Sequence, residues 1–426
     1  MTKVQFFLHQ KQGLKDTEHF NRVAYYWDMG LGKTFVGGEK LIQLKTPVNL
    51  LICQKSKVDD WINHFETYYS VAVFNLTNKK DFLNFVDRIS IPWTETVPMI
   101  GIINYELTFR RKQLTTIPIG TLMLDESSLI QNEQTKRAKF ITRLNYENLI
   151  LLSGTPTAGK YEKLLTQIHL LGWNISEKLF WNHYVDWEWD ETEDGFFRKK
   201  ILGYKNVERL KAKLRQHGAV FLKSEEVLDL PEQIFTKIMV PTSKEYRKFM
   251  KSRIITIDDR ELVGDTPLTK RLYARMLCGH YNQDKLEAFK DLVDSTEDRL
   301  IVFYNFKEEF RRLSELVKDR PISVVNGSIK DLTAYHQFSD SITFIQYRAG
   351  SMGLDLQKAN KMIFYSPTES CEQFMQSPER IHRIGQENDK CFYYRLICQG
   401  SVEEDILSAT ERGENYTDAL FQEFGS

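Results

Sequence analysis

The sequence lacks the features that would place it in a membrane or in an oxidising compartment. Its 426 residues include only five cysteines, and none of them shows the C-x-x-C spacing of a zinc site. We therefore expect reduced thiols, as in a cytoplasmic protein, and no zinc. No apolar run approaches the roughly 18 residues that a membrane span needs, and the apolar run near the N-terminus is too short for a secretory signal.

The sequence also lacks net charge, because 58 basic and 58 acidic residues cancel. Their distribution is uneven: residues 1–160 carry 20 Lys+Arg against 15 Asp+Glu, and residues 161–426 carry the remaining 38 against 43. A mildly basic first part suits contact with a phosphate backbone. A modest fluctuation in surface charge explains the numbers equally well.

What the chain does contain is short, continuous apolar runs separated by helical stretches. This is the pattern of strands buried on both faces of a parallel sheet. The runs form two sets, first VAYYW, NLLIC, MIGII, TLMLD and NLILLS, then LIVFY, ISVV, ITFIQ, KMIFY and CFYYRLI. The two sets predict an α/β protein with two lobes, at residues 1–235 and 236–426, and helical and hairpin insertions near 160–290.

One insertion, at 181–200, has acidic and aromatic arms around Asp194-Gly195, a dipeptide that is typical of hairpin turns. We interpret its acidic cluster as a solvated hairpin tip. A surface that deters nucleic acid is the alternative.

The segment DMGLGKT follows an apolar run and precedes a predicted helix. Strand, glycine-rich turn and helix is the arrangement that cradles phosphates, because glycines let backbone N–H groups approach and the helix N-terminus adds positive potential. Gly30 and Gly32 would form the turn, Lys33 would reach the β- and γ-phosphates of ATP, and Thr34 would bind Mg²⁺. Trp27 stands where the usual motif has its first glycine, so a coincidental loop is the alternative.

Two further apolar runs end in polar residues. TLMLDESS ends in adjacent carboxylates, and we assign Asp125 to Mg²⁺ and Glu126 to orienting the attacking water and taking its proton. The alternative is that this strand end caps the next helix. SGTP, at 153–156, places small hydroxyl residues where they can sense the nucleotide, although by itself it is an ordinary turn.

Near the other end of the chain, ERIHRIGQ carries two arginines three residues apart. In a helix, Arg380 and Arg383 would share one face, and their like charges would need an anion opposite them. We predict that this anion is the γ-phosphate of ATP bound in a cleft between the lobes, because arginines stabilise the charge of a transferred phosphoryl group. A surface pair that bridges to carboxylates is the alternative.

Taken in order, these segments resemble the Snf-type (SWI/SNF) ATPases of helicase superfamily two, from Leu8 to about Leu407. DMGLGKT is close to the family's phosphate loop, which also lacks the first glycine, and LHQKQGL is similar to its adenine-reading segment, with Gln10 in the glutamine's place. In DESS, Ser128 replaces a histidine that links the acidic motif to its neighbours in relatives. LLICQKSKVDDWINHF and INYELTF resemble the segments that follow, which implies DNA contacts for Lys55, Ser56, Trp61 and Tyr105.

The second set of segments extends the resemblance. VVNGSI matches a turn that meets the DNA backbone, at Asn326 and Gly327. AGSMGLDLQKAN resembles the family's A-G-x-x-G-L-N-L run, which implies a DNA contact for Ser351 and nucleotide contacts for Gly353 and Asp355. Asp355 stands where asparagine is usual. QSPERIHRIGQ, similar to Q-x-x-x-R-x-H-R-x-G-Q, is the most specific match in the chain.

The resemblance implies two RecA-like lobes in a compact bacterial or bacteriophage form, with no room for bromo-, chromo- or SANT-like extensions. It implies ATP and Mg²⁺ as cofactors, double-stranded DNA as the partner, and a monomer in the cytoplasm, that of the host if a phage encodes it. The predicted function is ATP hydrolysis that drives movement along duplex DNA. Two alternatives stay open: a helicase that separates DNA or RNA strands, and an ATP-gated DNA-binding module that hydrolyses little.

Overall fold

The chain divides into two units, Met1–Leu228 and Asp229–Ser426. The predicted boundary after residue 235 falls within the first strand of the second unit. The structure, a computed structural model, describes residues 4–89, 97–157, 160–191, 197–257, 259–350 and 354–413. None of the helices in these ranges combines the length and the apolar composition that a membrane crossing requires.

The first unit is a parallel α/β layer structure. Its strands are β1 (Arg22–Trp27), β2 (Val48–Cys53), β3 (Ala72–Asn75), β4 (Met99–Asn104), β5 (Ile119–Asp125), β6 (Tyr146–Ser153), β7 (Val185–Glu191), β8 (Phe197–Tyr204) and β9 (Ala219–Leu222). Its helices are α1 (Leu8–Asp16), α2 (Lys33–Gln43), α3 (Val58–Tyr68), α4 (Lys79–Ile89), α5 (Tyr105–Thr108), α6 (Lys136–Ile141), α7 (Leu165–Leu170), α8 (Glu177–Tyr184), α9 (Val207–Gln216) and α10 (Ser224–Val227). Seven strands pair in the order β3-β4-β2-β5-β6-β1-β9, all parallel.

The second unit repeats this architecture. Its strands are β10 (Glu232–Val240), β11 (Ile254–Ile257), β12 (Arg260–Val263), β13 (Leu300–Tyr304), β14 (Ile322–Val325), β15 (Lys330–Asp331), β16 (Ile342–Gln346), β17 (Lys361–Phe364) and β18 (Lys390–Cys398). Its helices are α11 (Lys244–Ser252), α12 (Pro267–Cys278), α13 (Gln283–Asp294), α14 (Lys307–Leu316), α15 (Thr333–Gln337), α16 (Tyr347–Gly350), α17 (Cys371–Gln376) and α18 (Val402–Glu411). The sheet order is β10-β18-β17-β13-β16-β14-β15, and only the short β15 runs antiparallel to its neighbour.

The continuous apolar runs are explained by helices on both faces of each sheet. In β1, Val23, Tyr25 and Trp27 belong to one apolar core, whereas Ala24 and Tyr26 belong to the core on the opposite face. Successive side chains of a strand point to opposite faces, so a strand covered on both sides must be apolar throughout. Every apolar run identified in the sequence contributes a strand, which confirms the predicted α/β class with two parallel sheets.

The predicted insertions are present in both units. In the first unit, β7 and β8 pair antiparallel as the arms of a hairpin, and the predicted turn Asp194-Gly195 lies outside the described residues. In the second unit, α11, α12 and the small hairpin β11–β12 follow β10 in the sequence and precede β13, the next strand of the sheet.

A buried ion pair ties the middle of the second unit to its last helix. Lys285, in the first turn of α13, donates to both carboxylate oxygens of Glu403 in α18, at 2.6 Å each, and neither side chain is more than 1% exposed. The backbone N–H of Cys398 donates to the same carboxylate at 2.9 Å. Removing one partner would leave an unpaired charge in the core.

We expect Lys285→Met to lower the free energy of unfolding of the second unit by about 3–5 kcal/mol, because Glu403 would stay buried without its cation. Lys290→Met is the matched control, since Lys290 lies on the same helix and pairs with Asp294 at the surface. Its loss should cost no more than about 0.5 kcal/mol. Chemical denaturation measures both values, and equal losses would contradict this account of the ion pair.

Candidate functional site

The sheet order of the first unit brings the three polar motifs together. β5, β6 and β1 are neighbours, and their carboxyl ends lie at one edge because the strands are parallel. DESS begins at the last residue of β5, SGTP begins at the last residue of β6, and DMGLGKT follows β1. A Cβ added to Gly154 would lie 3.3 Å from Nζ of Lys33, so the SGTP turn rests against the lysine of the glycine-rich loop.

The glycine-rich loop has the backbone that the sequence predicts. Gly30 and Gly32 have φ angles of 82° and 73°, in the left-handed region that favours glycine, and α2 begins directly after them. Nζ of Lys33 donates to the carbonyl oxygens of Trp27 at 2.7 Å and Asp28 at 2.9 Å. Thr34 is exposed in the first turn of α2. The loop therefore presents a cation, a hydroxyl and a helix N-terminus at one place, which is the composition of an anion site.

Gln10 of α1 packs against the glycine-rich loop and hydrogen-bonds to it. Its side-chain amide is buried and donates to the carbonyl oxygen of Leu31 at 3.2 Å, while its oxygen accepts from the backbone N–H of Phe7 at 2.9 Å. A Cβ on Gly32 would lie 2.2 Å from the amide nitrogen of Gln10. In the structure Gln10 thus braces the glycine-rich loop, and its role in reading adenine stays a prediction.

Asp125, at the end of β5, is held by a tryptophan. Nε1 of Trp61 donates to Oδ2 of Asp125 at 2.7 Å. Burial raises the pKa of Asp125 above its ordinary value, and the hydrogen bond from Trp61 offsets part of that rise. The indole N–H therefore favours the charged carboxylate.

Glu126 has an unusual backbone and two hydroxyl partners. Its φ and ψ of 56° and 60° are left-handed, a conformation that costs energy in a residue other than glycine. Oε1 of Glu126 accepts from Oγ of Ser128 at 2.7 Å and from Oγ of Ser153 at 2.8 Å. Glu126 stands at the N-cap of the 3₁₀ turn that follows, and its side chain makes no capping hydrogen bond there. Ser153 instead links the carboxylate to the SGTP turn.

Two glutamines that the sequence did not single out complete the link between DESS and SGTP. Gln131 and Gln167 each donate to the carbonyl oxygen of Pro156 at 3.2 Å. Oε1 of Gln167 accepts from the hydroxyl of Ser127 at 2.7 Å and from that of Tyr26 at 3.1 Å. This network connects the acidic motif to its neighbour without the histidine that Ser128 replaces. Nothing in the local sequence marks these glutamines, because only the fold brings them beside the loop.

The residues present fit a magnesium-bound nucleotide. Mg²⁺ takes oxygen ligands, and the hydroxyl of Thr34 and the carboxylate of Asp125 are such donors. The glycine-rich loop that precedes Thr34 offers the backbone and the Lys33 cation that phosphates require. Beside it, Oγ1 of Thr155 in the SGTP turn is buried and has no hydrogen-bond partner among the described residues, as expected of a group that faces a bound ligand.

Of the predicted DNA contacts in this unit, two are exposed and two are buried. Lys55 and Ser56 lie exposed in a 3₁₀ turn after β2. Trp61 is 1% exposed, and Tyr105 is fully buried, with its hydroxyl donating to the backbone carbonyl of Asp125 at 3.0 Å. Direct DNA contact by these two rings does not fit the structure, because both rings are packed in the core and both donate their hydrogen bonds to the acidic motif.

The predicted contacts in the second unit are described only in part. Oδ1 of Asn326 accepts from the backbone N–H groups of Ser328 and Ile329 at 2.8 and 2.9 Å, which shapes an exposed turn around Gly327. Ser351 and Gly353 lie outside the described residues.

The arginine pair is not helical. Arg380 ends a 3₁₀ turn, Pro378–Arg380, and Arg383 lies in the irregular turn that follows, so the predicted shared helix face is wrong. Arg380 is only 3% exposed. Arg383 is more accessible, and its Nη1 pairs with Oδ1 of Asp355 at 2.6 Å and donates to the carbonyl oxygen of Leu354 at 3.2 Å. The two arginines therefore differ: one is part of the core, and the other is held by the carboxylate that stands where asparagine is usual.

Two family models match the chain. The family model described as SNF2-related domain matches residues 23–283, and the model described as helicase conserved C-terminal domain matches residues 284–385. The chain is 25% identical to the putative ATP-dependent helicase/translocase YwqA of Bacillus subtilis, over 93% of this chain and 46% of that protein. It is 24% identical to a SWI/SNF-related regulator of chromatin, subfamily A member 1, of Mus musculus, over 90% of this chain and 40% of that protein.

A solved structure is also similar along the chain. It is the Sulfolobus solfataricus SWI2/SNF2 ATPase core in complex with dsDNA, with 18% identity, a TM-score of 0.44, and coverage of 99% of this chain and 93% of that one. The chain spans less than half the length of the Bacillus and mouse relatives.

We expect Gly32→Ala to destabilise the first unit by at least about 1–2 kcal/mol, because alanine resists a φ of 73° and its Cβ would overlap the amide of Gln10. Gly203→Ala in β8 is the control, since nothing lies within 4 Å of its Cβ position. That change should stay within about 0.5 kcal/mol. Thermal unfolding compares the two, and an unchanged midpoint for Gly32→Ala would show that the loop does not depend on this conformation.

Proposed function

The chain belongs to the SNF2-related domain family, and on that premise we propose that it hydrolyses ATP and uses the energy to move along double-stranded DNA. The observation that carries this proposal is the meeting of Lys33, Asp125 and Glu126 at the carboxyl edge of one sheet. The Bacillus subtilis relative is named as an ATP-dependent helicase/translocase, which supports movement on nucleic acid.

Each residue has a distinct task in hydrolysis. Lys33 exchanges its two carbonyl partners for phosphate oxygens when ATP binds. Thr34 and Asp125 would hold the magnesium ion, which would supply charge neutralisation at the phosphates. Glu126 takes the proton of the attacking water, and the hydroxyls of Ser128 and Ser153 keep its carboxylate in place.

The DNA would be held mainly through its phosphates. The exposed turn with Lys55 and Ser56 in the first unit offers a cation and a hydroxyl for phosphate oxygens, and the turn with Asn326 in the second unit exposes its backbone at Gly327. Such contacts read no sequence, and they weaken as salt increases. We include in the proposal a monomer working in the cytoplasm of a bacterium or phage-infected host; the five free, buried thiols support a reducing compartment.

Duplex DNA is expected to stimulate the ATPase more than single-stranded DNA or RNA of equal length does. A steady-state ATPase assay with the three nucleic acids tests this.

Glu126→Gln should bind ATP and lose turnover, since an amide cannot accept the proton of the water. Lys33→Ala should lose ATP binding, because the loop loses its cation.

The alternatives make different predictions in the same assay. Stronger stimulation by single strands would favour a strand-separating helicase. DNA binding that responds to ATP, with little turnover by the parent protein, would favour an ATP-gated binding module. Parent-level turnover by Glu126→Gln would contradict the assignment of the base.

Arg383→Ala is expected to lower kcat by about 10²-fold while the affinity for ATP falls much less, because such an arginine acts mainly on charge in the transition state. Arg383→Lys should rescue little, since an ammonium lacks the planar fork of donors. Arg311→Ala is the control: Arg311 pairs with Glu308 and Glu315 on the surface of α14. If Arg383→Ala leaves kcat as unchanged as Arg311→Ala does, Arg383 is a surface ion pair and no more.

A further inference from the structure

Trp61 stands one helical turn into α3, immediately after the exposed turn Lys55–Lys57. Its ring is buried and its indole has a single donor, which it spends on Oδ2 of Asp125 at 2.7 Å. Because the indole has only this one N–H, the orientation of the buried ring determines the direction of the hydrogen bond to Asp125. The position of α3 thus sets the direction from which Asp125 receives its only tryptophan donor.

The ring of Trp61 is fixed by its neighbours. Phe65 stacks on it with ring centroids 5.7 Å apart, and His64 meets it edge-on at 5.5 Å. His64 in turn contacts Phe35 of α2 at 4.9 Å. Burial lowers the pKa of His64 to about 4, so this aromatic cluster is neutral at physiological pH. A close-packed, neutral cluster lets the indole move only together with α3.

The backbone of the acidic motif is held separately. The hydroxyl of Tyr105 donates to the carbonyl oxygens of Asp125 at 3.0 Å and Glu126 at 3.4 Å. Tyr105 therefore fixes the main chain at the end of β5, and Trp61 fixes the carboxylate of Asp125. A shift of α3 would therefore move the Asp125 carboxylate without moving the main chain at the end of β5.

We propose that Trp61 is a positioning residue that orients the Asp125 carboxylate and carries movement of the segment 55–61 to it. This rests on the proposed function, in which Lys55 and Ser56 contact DNA and Asp125 holds magnesium. DNA bound at the turn then raises the affinity for the Mg²⁺-nucleotide at the loop. The bound Mg²⁺-nucleotide raises the affinity for DNA by the same factor, because a coupling between two sites acts equally in both directions.

The test is nucleotide binding rather than turnover. The affinity of a non-hydrolysable, fluorescent ATP analogue is measured with and without Mg²⁺, and with and without duplex DNA. Trp61→Phe keeps most of the ring and removes the N–H. In this variant we expect the affinity gained from Mg²⁺ to fall by about 10-fold, the size of a hydrogen bond to a charged group, while the Mg²⁺-free affinity stays unchanged. The gain from DNA, expected at about 5-fold or more in the parent, should disappear.

Phe85→Leu is the control. Phe85 is buried in α4 of the same unit, in the core on the opposite face of the sheet from Trp61. This variant should lower the thermal midpoint and keep both gains. If Phe85→Leu loses them as fully as Trp61→Phe, or if Trp61→Phe keeps them, the positioning role of Trp61 is overturned.

Hydrogen exchange on the parent protein gives a second route that needs no variant to fold. Amides of Val58–Tyr68 should gain protection when the analogue binds with Mg²⁺ and not when it binds alone. Equal protection in both conditions overturns the link. A parent protein that binds no Mg²⁺-analogue at all would overturn the proposed function itself, whereas normal parent binding with an unaffected Trp61→Phe variant overturns only the role of Trp61.

Discussion

Hydrogen bonds to the two carboxylates at the end of β5 constrain the rest of the first unit. Buried or half-buried carboxylates must be paired, and here the donors come from different elements: Trp61 from α3, Ser153 from β6 and Ser128 from the following turn. The sheet order places β5 between β2 and β6, so the segments after both neighbours reach it. The strained backbone of Glu126 persists because these partners hold it.

In the second unit, the ERIHRIGQ segment forms a 3₁₀ turn and an irregular turn, with no α-helix. In ERIHRIGQ, the terminal Gln386 donates to the carbonyl oxygens of Ala359 at 2.8 Å and Ile381 at 3.1 Å, and the ring of His382 hydrogen-bonds to the carbonyl oxygen of Pro231 at 3.0 Å. His382 and Gln386 thus anchor an irregular turn. Arg383 lies in this turn, and Asp355 pairs with it within the unit.

How much the sequence could predict follows from what each pattern measures. Continuous apolarity reports burial on both faces, so the central strands were predictable, whereas the partly exposed edge strands β3 and β10 were not. The backbone of the glycine-rich loop and the position of the acidic pair were predictable because strand ends and glycines determine them locally. The partners of Trp61 and Tyr105 depend on strand order, which periodicity does not reveal. A helix over Arg380 and Arg383 was wrong because Pro378 opens a 3₁₀ turn and Gly385, at a φ of 89°, follows in a left-handed conformation.

Displacement of a third strand from a DNA triplex tests most directly whether ATP hydrolysis drives movement along an intact duplex. We expect the protein to displace the third strand when ATP is present, to fail with a non-hydrolysable analogue, and to leave the two duplex strands paired. Separation of the duplex strands, or hydrolysis of ATP with no displacement of the third strand, would contradict it.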